Sequence, residues 1–444
     1  MQLPPFSGKR LFFLHFSMRN AIITVISIND ATATPHDPLR AAHLLVFSEA
    51  AMDITVFPGQ LNGTVAAIAS KSQVHRYLIC AAFADQPTHI IFADTNRDIE
   101  ATVACLTAIG VEIARTSCGY LVTPADNLRK QAKLFCADSG STLRFLLPIV
   151  GALGIEAIFT MTGRLGQRPL APLLDEMTRM GCRFSRLDEN TLSCSGQLRP
   201  GEYRIPGNIS SQFISGLLFA CTLLGNGSHV IITSPLESKP YVDMTITALS
   251  HFGIDANKPI IHASRLKSPG TIAADGDWSN AACFFSANTM GSSVAVTGLD
   301  YCSSQGDRAI ATFLQQLERD EAISLADHPD LFPILAVAAA YKHGAIFHHI
   351  RRLRHKESDR IDSVLAMLHA LGCQATVIDD SVRIFPGKFH SCTVNTYHDH
   401  RIAMAAAIAA TCADGPVTIQ NAGCVDKSYP RFWMDFRNLG GIYE

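Results

Sequence analysis

The stretch Leu353-Arg354-His355-Lys356-Glu357-Ser358-Asp359-Arg360 concentrates more reactive side chains than any other part of this chain. Five ionisable residues fall within 354–359, Arg360 follows, and both signs are mixed. Only 17% of the 444 residues are Asp, Glu, Lys or Arg, so the cluster stands out from a sparsely charged background. If the stretch opens a helix, Lys356 and Arg360 lie four apart on one face, where like charges repel. An anion held between them would resolve that conflict. The alternative is a solvated helix start in which Glu357 pairs with Arg360.

Similar residues recur at fixed distances. Six segments read as a small-residue helix, a tight turn and a short β-branched strand. They begin near Ser72, Ser141, Ser211, Ser279, Leu331 and His400, at spacings of roughly 69, 70, 68, 52 and 69 residues. Most are followed by a second, amphipathic helix that stops at a glycine, as at Gly110, Gly181, Gly253 and Gly372. The pattern predicts an α/β fold. The short fourth interval predicts two groups of three units.

The chemically capable residues fall at the starts of the first helices. Lys71-Ser72 with Arg76 open one, and Asp138-Ser139-Gly140-Ser141 with Arg144 open the next. Ser210-Ser211-Gln212 open the third, Asp330 precedes the fifth, and Asp399-His400-Arg401 open the sixth. The fourth has only Asp277 and Ser279 there. Asp399 and Ser141 read as simple N-caps. Lys71, Arg144 and Arg401 oppose the helix dipole, which an anion bound at the N–H groups would reconcile. Gathered helix starts predict a cleft for a small polyanion.

Composition narrows the remainder. A net charge of -2 leaves no basic field for nucleic acid. Hydrophobic content of 48% and a mean hydropathy of +0.16 predict a well-buried chain. The 13 cysteines are scattered without metal-ligand spacing, which predicts reduced thiols and a cytoplasmic setting. The longest apolar stretch, Phe145 to Thr160, is interrupted by Pro148, two glycines and Glu156, so no membrane span is expected. Residues 1–51 show no long periodicity. They read as a segment upstream of a native start at Met52, with a targeting segment or flexible arm as the alternatives.

The motifs occur in an order that resembles the EPSP synthase (3-phosphoshikimate 1-carboxyvinyltransferase) family. They are Ser70 to Arg76, Ser139 to Arg144, Gln167-Arg168-Pro169, Ser210-Ser211-Gln212, Ser238-Lys239-Pro240-Tyr241, Asp330, Lys356 to Arg360, Asp399-His400-Arg401 and Lys427. The likeness runs from about Asp53 to the C-terminus. It implies a two-domain inverse α/β barrel, each domain three βαβαββ repeats, with the active site between them. One domain would combine 52–69 with 276–444, the other would be 70–275, and 1–51 would be an extension without counterpart. It also implies a cytoplasmic monomer acting on small molecules, with no cofactor, metal, nucleic acid or membrane partner.

The implied reaction moves the enolpyruvyl group of phosphoenolpyruvate to the 5-hydroxyl of shikimate 3-phosphate, on the route to chorismate. It proceeds by addition and elimination. Asp330 would be the base, Glu357 or Lys427 the acid at carbon, and Lys71 a further catalytic cation. Lys71, Ser72, Arg76, Ser210, Ser211, Gln212, Ser238, Asp330 and Lys356 would hold shikimate 3-phosphate. Lys71, Gly140, Arg168, Gln212, Arg360, Arg401 and Lys427 would surround phosphoenolpyruvate. His400 would support neighbouring charges through hydrogen bonds. Gly140 would leave room for the inhibitor glyphosate beside Arg168.

Two departures stand out. Arg352 replaces the Asn of some members, and Asp138-Ser139-Gly140-Ser141 replaces an Asn-Ala-Gly-Thr loop. A related UDP-N-acetylglucosamine enolpyruvyl transferase would carry Lys-Asn at the first motif and a Cys on the loop before Arg168-Pro169, and neither is present. The remaining alternative is an inactive paralogue that binds anionic metabolites. Lys71, Arg144 and Arg168 from one half and Lys356, Arg360, Arg401 and Lys427 from the other are expected to repel across an empty cleft.

Overall fold

Twelve α-helices come in six pairs among the described residues. They are α1 (Lys71–Ala82) with α2 (Arg97–Ala108), α3 (Gly140–Leu153) with α4 (Ala171–Arg179), and α5 (Ser211–Leu224) with α6 (Lys239–His251). Then come α7 (Trp278–Thr289) with α8 (Ile310–Glu318), α9 (Phe332–Tyr341) with α10 (Arg360–Ala370), and α11 (His400–Ala410) with α12 (Phe432–Asn438). The computed structural model describes residues 52–224, 227–256, 265–319 and 321–444, and the backbone of strands at Lys9–Met18, Ala21–Asp30 and Leu45–Phe47.

The two helices of a pair differ for a reason visible in their side chains. The first helices are Ala-, Leu- and Ile-rich on every face, and every residue of α11 is buried. A helix apolar all round belongs inside. Small residues let such helices approach closely. At Gly216 of α5, a Cβ would stand 2.3 Å from the Arg144 carbonyl oxygen of α3. The second helices are amphipathic: α8 buries Ile310, Phe313, Leu314 and Leu317, at helical spacing, and exposes Ala311, Thr312, Gln315 and Glu318. The glycines expected to end four second helices, at 110, 181, 253 and 372, all have positive φ, as a left-handed C-terminal cap requires.

Strand pairing completes the repeat. Gln131–Phe135, α3, Glu156–Thr160 and α4 lead into the hairpin Cys182–Asp188 and Thr191–Gly196. The first two strands are parallel, and Glu156–Thr160 pairs antiparallel with Thr191–Gly196. The same order recurs from Ile323–Ser324 to Ser381–Ile384 around α9 and α10. Other sheets borrow distant strands. Thr271–Ala273 lies parallel to Thr88–Ile91, Asn62–Ala66 parallel to Ser293–Thr297, and Ile54–Phe57 antiparallel to Val417–Gln420.

Two hydrophobic cores result. One draws its residues from Ala69 to Leu266. The other joins Ile54 to Ile68 with Trp278 to Leu439. Within each repeat a parallel strand leads into the N-terminus of a first helix, so those N-termini lie at one end of each core.

Two compact units divide the chain, Met1–Asp53 and Ile54–Glu444. Three strands fall within residues 1–51, a stretch whose sequence shows no long periodicity. Lys9–Met18 pairs antiparallel with Ala21–Asp30, which pairs with Leu45–Phe47. The first two are ten-residue runs dense in Leu, Phe, Ile and Val, favourable for strands although not strictly alternating. The other residues before Met52, and the readings placed on them, lie outside the described residues. All 13 cysteines are free thiols. Among the described residues, no helix is long and apolar enough to cross a membrane.

Candidate active site

One cavity lies between the two cores of the 54–444 unit, with about 940 Å³ of space including its open mouth. Its walls include Lys71, Ser72, Arg76, Gly140, Arg168, Ser210, Ser211, Gln212, Ser238, Asp330, Lys356, Glu357 and Arg401. Every sequence-predicted site residue is therefore in the lining except Arg360 and Lys427, which stand just behind it. Asp98, Ser141, Arg144, Tyr241, Arg352, His355 and His400 complete the polar wall.

The helix starts supply these side chains. Ser139 caps α3 by accepting from Thr142 N–H, so Ser141 is free of that duty. Its Oγ instead accepts from Gln212 Nε2 at 3.0 Å, joining α3 to α5. Gln212 Oε1 in turn accepts from Arg144 Nη1 at 2.9 Å. Asp399 caps α11 through Arg401 N–H as expected. It is not a simple cap, because it also accepts from Ser358 Oγ and Arg360 Nε. Ser238 precedes α6 with φ 54°, a costly conformation for a residue with a Cβ. It is held by its N–H to Ala326 O at 2.9 Å and by Arg352 Nη2 donating to its Oγ at 2.7 Å.

The opening cluster is built differently from expectation. Arg351–His355 form a 3-10 turn, Lys356 is extended, and α10 begins only at Arg360 behind the cap Asp359. Lys356 and Arg360 do not share a helix face. They converge on one group from outside the helix, Asp330 Oδ1, at 3.1 Å and 2.5 Å. Arg401 Nη2 and Tyr241 Oη reach Asp330 Oδ2, each at 3.2 Å. Burial alone would raise the Asp330 pKa. Arg401, Lys356 and Arg360 outweigh it and hold the carboxyl well below its ordinary range. Glu357 behaves alike: burial opposes ionisation, but Arg360, Arg168 and Lys427 hold it ionised. The Glu357–Arg360 pair exists at 2.8 Å, yet Arg360 is 1% exposed, so this is no solvated helix start.

The expected repulsion across the empty cleft is not what the structure has. Each cation already faces a carboxylate or carbonyl. Lys71 Nζ donates to Asp98 Oδ2 at 2.9 Å, and Lys427 Nζ lies 3.1 Å from Asp98 Oδ1. Arg168 Nε donates to His355 O across the cleft at 3.0 Å. The expectation counted cations and left out Asp98, a buried carboxylate whose pKa two lysines depress against the effect of burial. Asp98 sits in the first turn of α2, where an acidic residue is ordinary, and its partners lie 27 and 329 positions away, so no local pattern marks it. Arg76 is turned inward, donating to Thr245 Oγ1, Ser72 O and Tyr241 O. The hydrogen bonds expected from His400 are not formed. Both its ring nitrogens are buried without a partner, and burial, then Lys71 and Arg401, push its pKa well below the ordinary value. A cavity wall with such unpaired groups is suited to a ligand that supplies the partners.

The arrangement offers one carboxylate ringed by three cations and a phenol, a second carboxylate 3.9 Å from Arg168, and buried Arg144 Nε and Arg401 Nε groups without a hydrogen-bond partner. Known proteins resemble this chain in sequence and in fold. The family model EPSP synthase (3-phosphoshikimate 1-carboxyvinyltransferase) matches residues 57–436. A 3-phosphoshikimate 1-carboxyvinyltransferase of Clostridium kluyveri is 37% identical, covering 87% of this chain and 97% of that protein. Another, of Clostridium beijerinckii, is 33% identical over 88% and 98%. An EPSP synthase structure from Acinetobacter baumannii has the same fold, with a TM-score of 0.72, 23% identity, and coverage of 88% of this chain and 99% of that one. The enolpyruvyl transferase NikO from Streptomyces tendae shares the fold at 0.66, with 18% identity and coverage of 88% and 98%. The two-domain α/β architecture expected from the motifs is thereby met, and with the match to nearly the whole 54–444 unit, this chain belongs to the EPSP synthase family.

Proposed function

We propose that the cavity transfers the enolpyruvyl group of phosphoenolpyruvate to the 5-hydroxyl of shikimate 3-phosphate. The observation that carries this reading is Asp330, an ionised carboxylate that three cations contact inside a cavity contributed by both cores. A transfer between two anions needs both features: cations to hold the substrates together and a base to free the hydroxyl.

Asp330 takes the proton of the 5-hydroxyl as that oxygen bonds to C2 of phosphoenolpyruvate. The methylene carbon gains a proton and becomes a methyl group in a tetrahedral ketal. The methyl then loses a proton, the C2–O bond to phosphate breaks, and inorganic phosphate leaves. Glu357 lines the cavity and Lys427 does not, which supports Glu357 as the group serving the carbon. Substrate anions that engage Arg360 and Arg168 would loosen their hold on Glu357 and let it take a proton. No observation favours UDP-N-acetylglucosamine as acceptor. Turnover in D₂O should place deuterium in the enolpyruvyl methylene of the product, read by NMR. A product without deuterium would contradict passage through a methyl ketal.

Lys356 gives a pH signature. Burial lowers its pKa, Asp330 only partly restores it, and the result is about 8. The ammonium is present below that value and lost as pH rises through it. The KM for shikimate 3-phosphate should therefore climb above pH 8, by up to about tenfold per unit. Lys356→Arg should flatten the climb, because Arg stays charged. A flat wild-type profile would remove Lys356 from the acceptor site.

Gly140 gives a steric one. A Cβ there would stand 2.7 Å from Arg144 Nη1 and 2.9 Å from Arg168 Nη1. Both are ends of flexible side chains, so Gly140→Ala should fold but displace Arg168, assigned to phosphoenolpyruvate, together with its neighbour Arg144. The KM for phosphoenolpyruvate should rise about 10- to 100-fold, and inhibition by glyphosate should weaken. Unchanged values for both would count against Gly140 as a site residue.

A further inference from the structure

Lys427 ends the 3-10 turn Ala422–Lys427, built on the core that contains α7 to α12. Its ammonium crosses to the other core and is enclosed there, 5% exposed. Three oxygens surround Nζ: Asp138 Oδ2 at 2.7 Å, Asp138 O at 2.9 Å and Asp98 Oδ1 at 3.1 Å. An ammonium has three N–H groups. Asp98 Oδ1 makes no directed hydrogen bond, so its share is charge rather than geometry. Both directed bonds come from Asp138. Two of the three N–H groups are thus taken by Asp138, and Asp98 Oδ1 closes the remaining side of an ammonium that is almost fully enclosed.

An anionic donor substrate gains access to this enclosed ammonium when one of the three oxygens yields. The Asp138 carbonyl is fixed between Ala137, with φ 49°, and the cap Ser139. Asp98 is buried and held by Lys71. The Asp138 carboxylate is different. It sits on a side chain that is 38% exposed, two residues before the cavity-lining Gly140. It already does what a substrate oxygen would do, and it carries the same sign of charge.

We infer that Asp138 is a specificity-determining residue for the enolpyruvyl donor: its carboxylate competes with the anionic donor for Lys427 and must be displaced before the donor binds. The inference rests on the reaction proposed above and adds to it a built-in rival for one substrate only. The acceptor is untouched, because the residues assigned to it do not include Lys427. Neutralising the carboxylate should therefore tighten one substrate and leave the other alone.

The test is steady-state kinetics of the full chain and of Asp138→Asn and Asp138→Ala at low ionic strength. Each substrate is varied in turn. Both variants should lower the KM for phosphoenolpyruvate by about 3- to 10-fold and leave that for shikimate 3-phosphate within about twofold. Added salt should shrink the difference, because the rivalry is electrostatic. A purely structural role would move both KM values together. A phosphoenolpyruvate KM that is unchanged or raised in both variants overturns the inference. Wild-type turnover is established first with the same assay. Its absence would remove the proposed reaction, whereas its presence with an unmoved KM would remove only the role of Asp138.

Discussion

Asp330→Asn is expected to bind both substrates and to turn over about 10³-fold more slowly than wild type, with Asp330→Ala at least as slow. Asp330 accepts from Lys356, Arg360, Arg401 and Tyr241, so it stands where the cations of the site converge. An amide keeps the size and can accept from the cations, but it cannot take a proton from the hydroxyl. Loss of a positioned general base costs typically about 10²–10⁴-fold. Removing the carboxylate also relieves the three cations of their internal partner, so anion affinity should be kept or improved while kcat collapses. The depressed pKa sharpens this. An Asp330 held ionised by its neighbours is a weak base in the empty site. It strengthens once substrate anions draw those neighbours away. Measured kcat and KM for each substrate decide the matter. Wild-type rates in either variant would remove Asp330 as the base.

The second large effect concerns stability as well as activity. Arg360 is 1% exposed and donates Nε to Asp399, Nη1 to Asp330 and Nη2 to Glu357, at 2.9, 2.5 and 2.8 Å. Arg360→Ala would leave three carboxylates in a buried space without the cation that joins them. Breaking a buried pair by removing one partner costs about 3–5 kcal/mol. A fall in Tm of roughly 5–10 °C is expected, with activity lost. Arg360→Lys should recover little of either, because one ammonium cannot span three acceptors in a fork. The sign with pH follows from the lowered pKa values of Asp330, Glu357 and Asp399. Their contribution is fully present above about pH 5 and is lost as pH falls through the lowered values. The acid side of the wild-type stability profile should therefore be steeper than that of Arg360→Ala. A variant with unchanged Tm and parallel acid profiles would show that the network adds nothing to stability.

How far the molecule could be read from its residues varies from place to place. The repeats were legible because most first helices are rich in small and apolar residues and four second helices end at a glycine, and both are local features. The cavity wall was legible where a charged or polar residue opens a first helix, as at Lys71, Gln212 and Arg401. Local reading failed where a residue gains its role from a distant partner. Asp98 matters through Lys71 and Lys427, and nothing within a turn of it on the chain says so. The geometry of Lys356 also escaped. A charged run offers no apolar period to fix a helix boundary, and the cap at Asp359 sets it, which leaves Lys356 outside the helix. The pairing of Glu357 with Arg360, part of the solvated-start alternative, is present but buried, and Glu357 lies ahead of the cap rather than in α10. His400 escaped in a different way. Its position on the wall followed from its helix start, but its unpaired ring nitrogens are a property of packing on all sides.

The central claim is a reaction at one acceptor, and phosphate release tests it most directly. The purified chain is given phosphoenolpyruvate with shikimate 3-phosphate in one vessel and with UDP-N-acetylglucosamine in another, and inorganic phosphate is followed with time. Steady release with shikimate 3-phosphate, and none above background with the nucleotide sugar, is the predicted result. No release with shikimate 3-phosphate, or release with the nucleotide sugar alone, would contradict it.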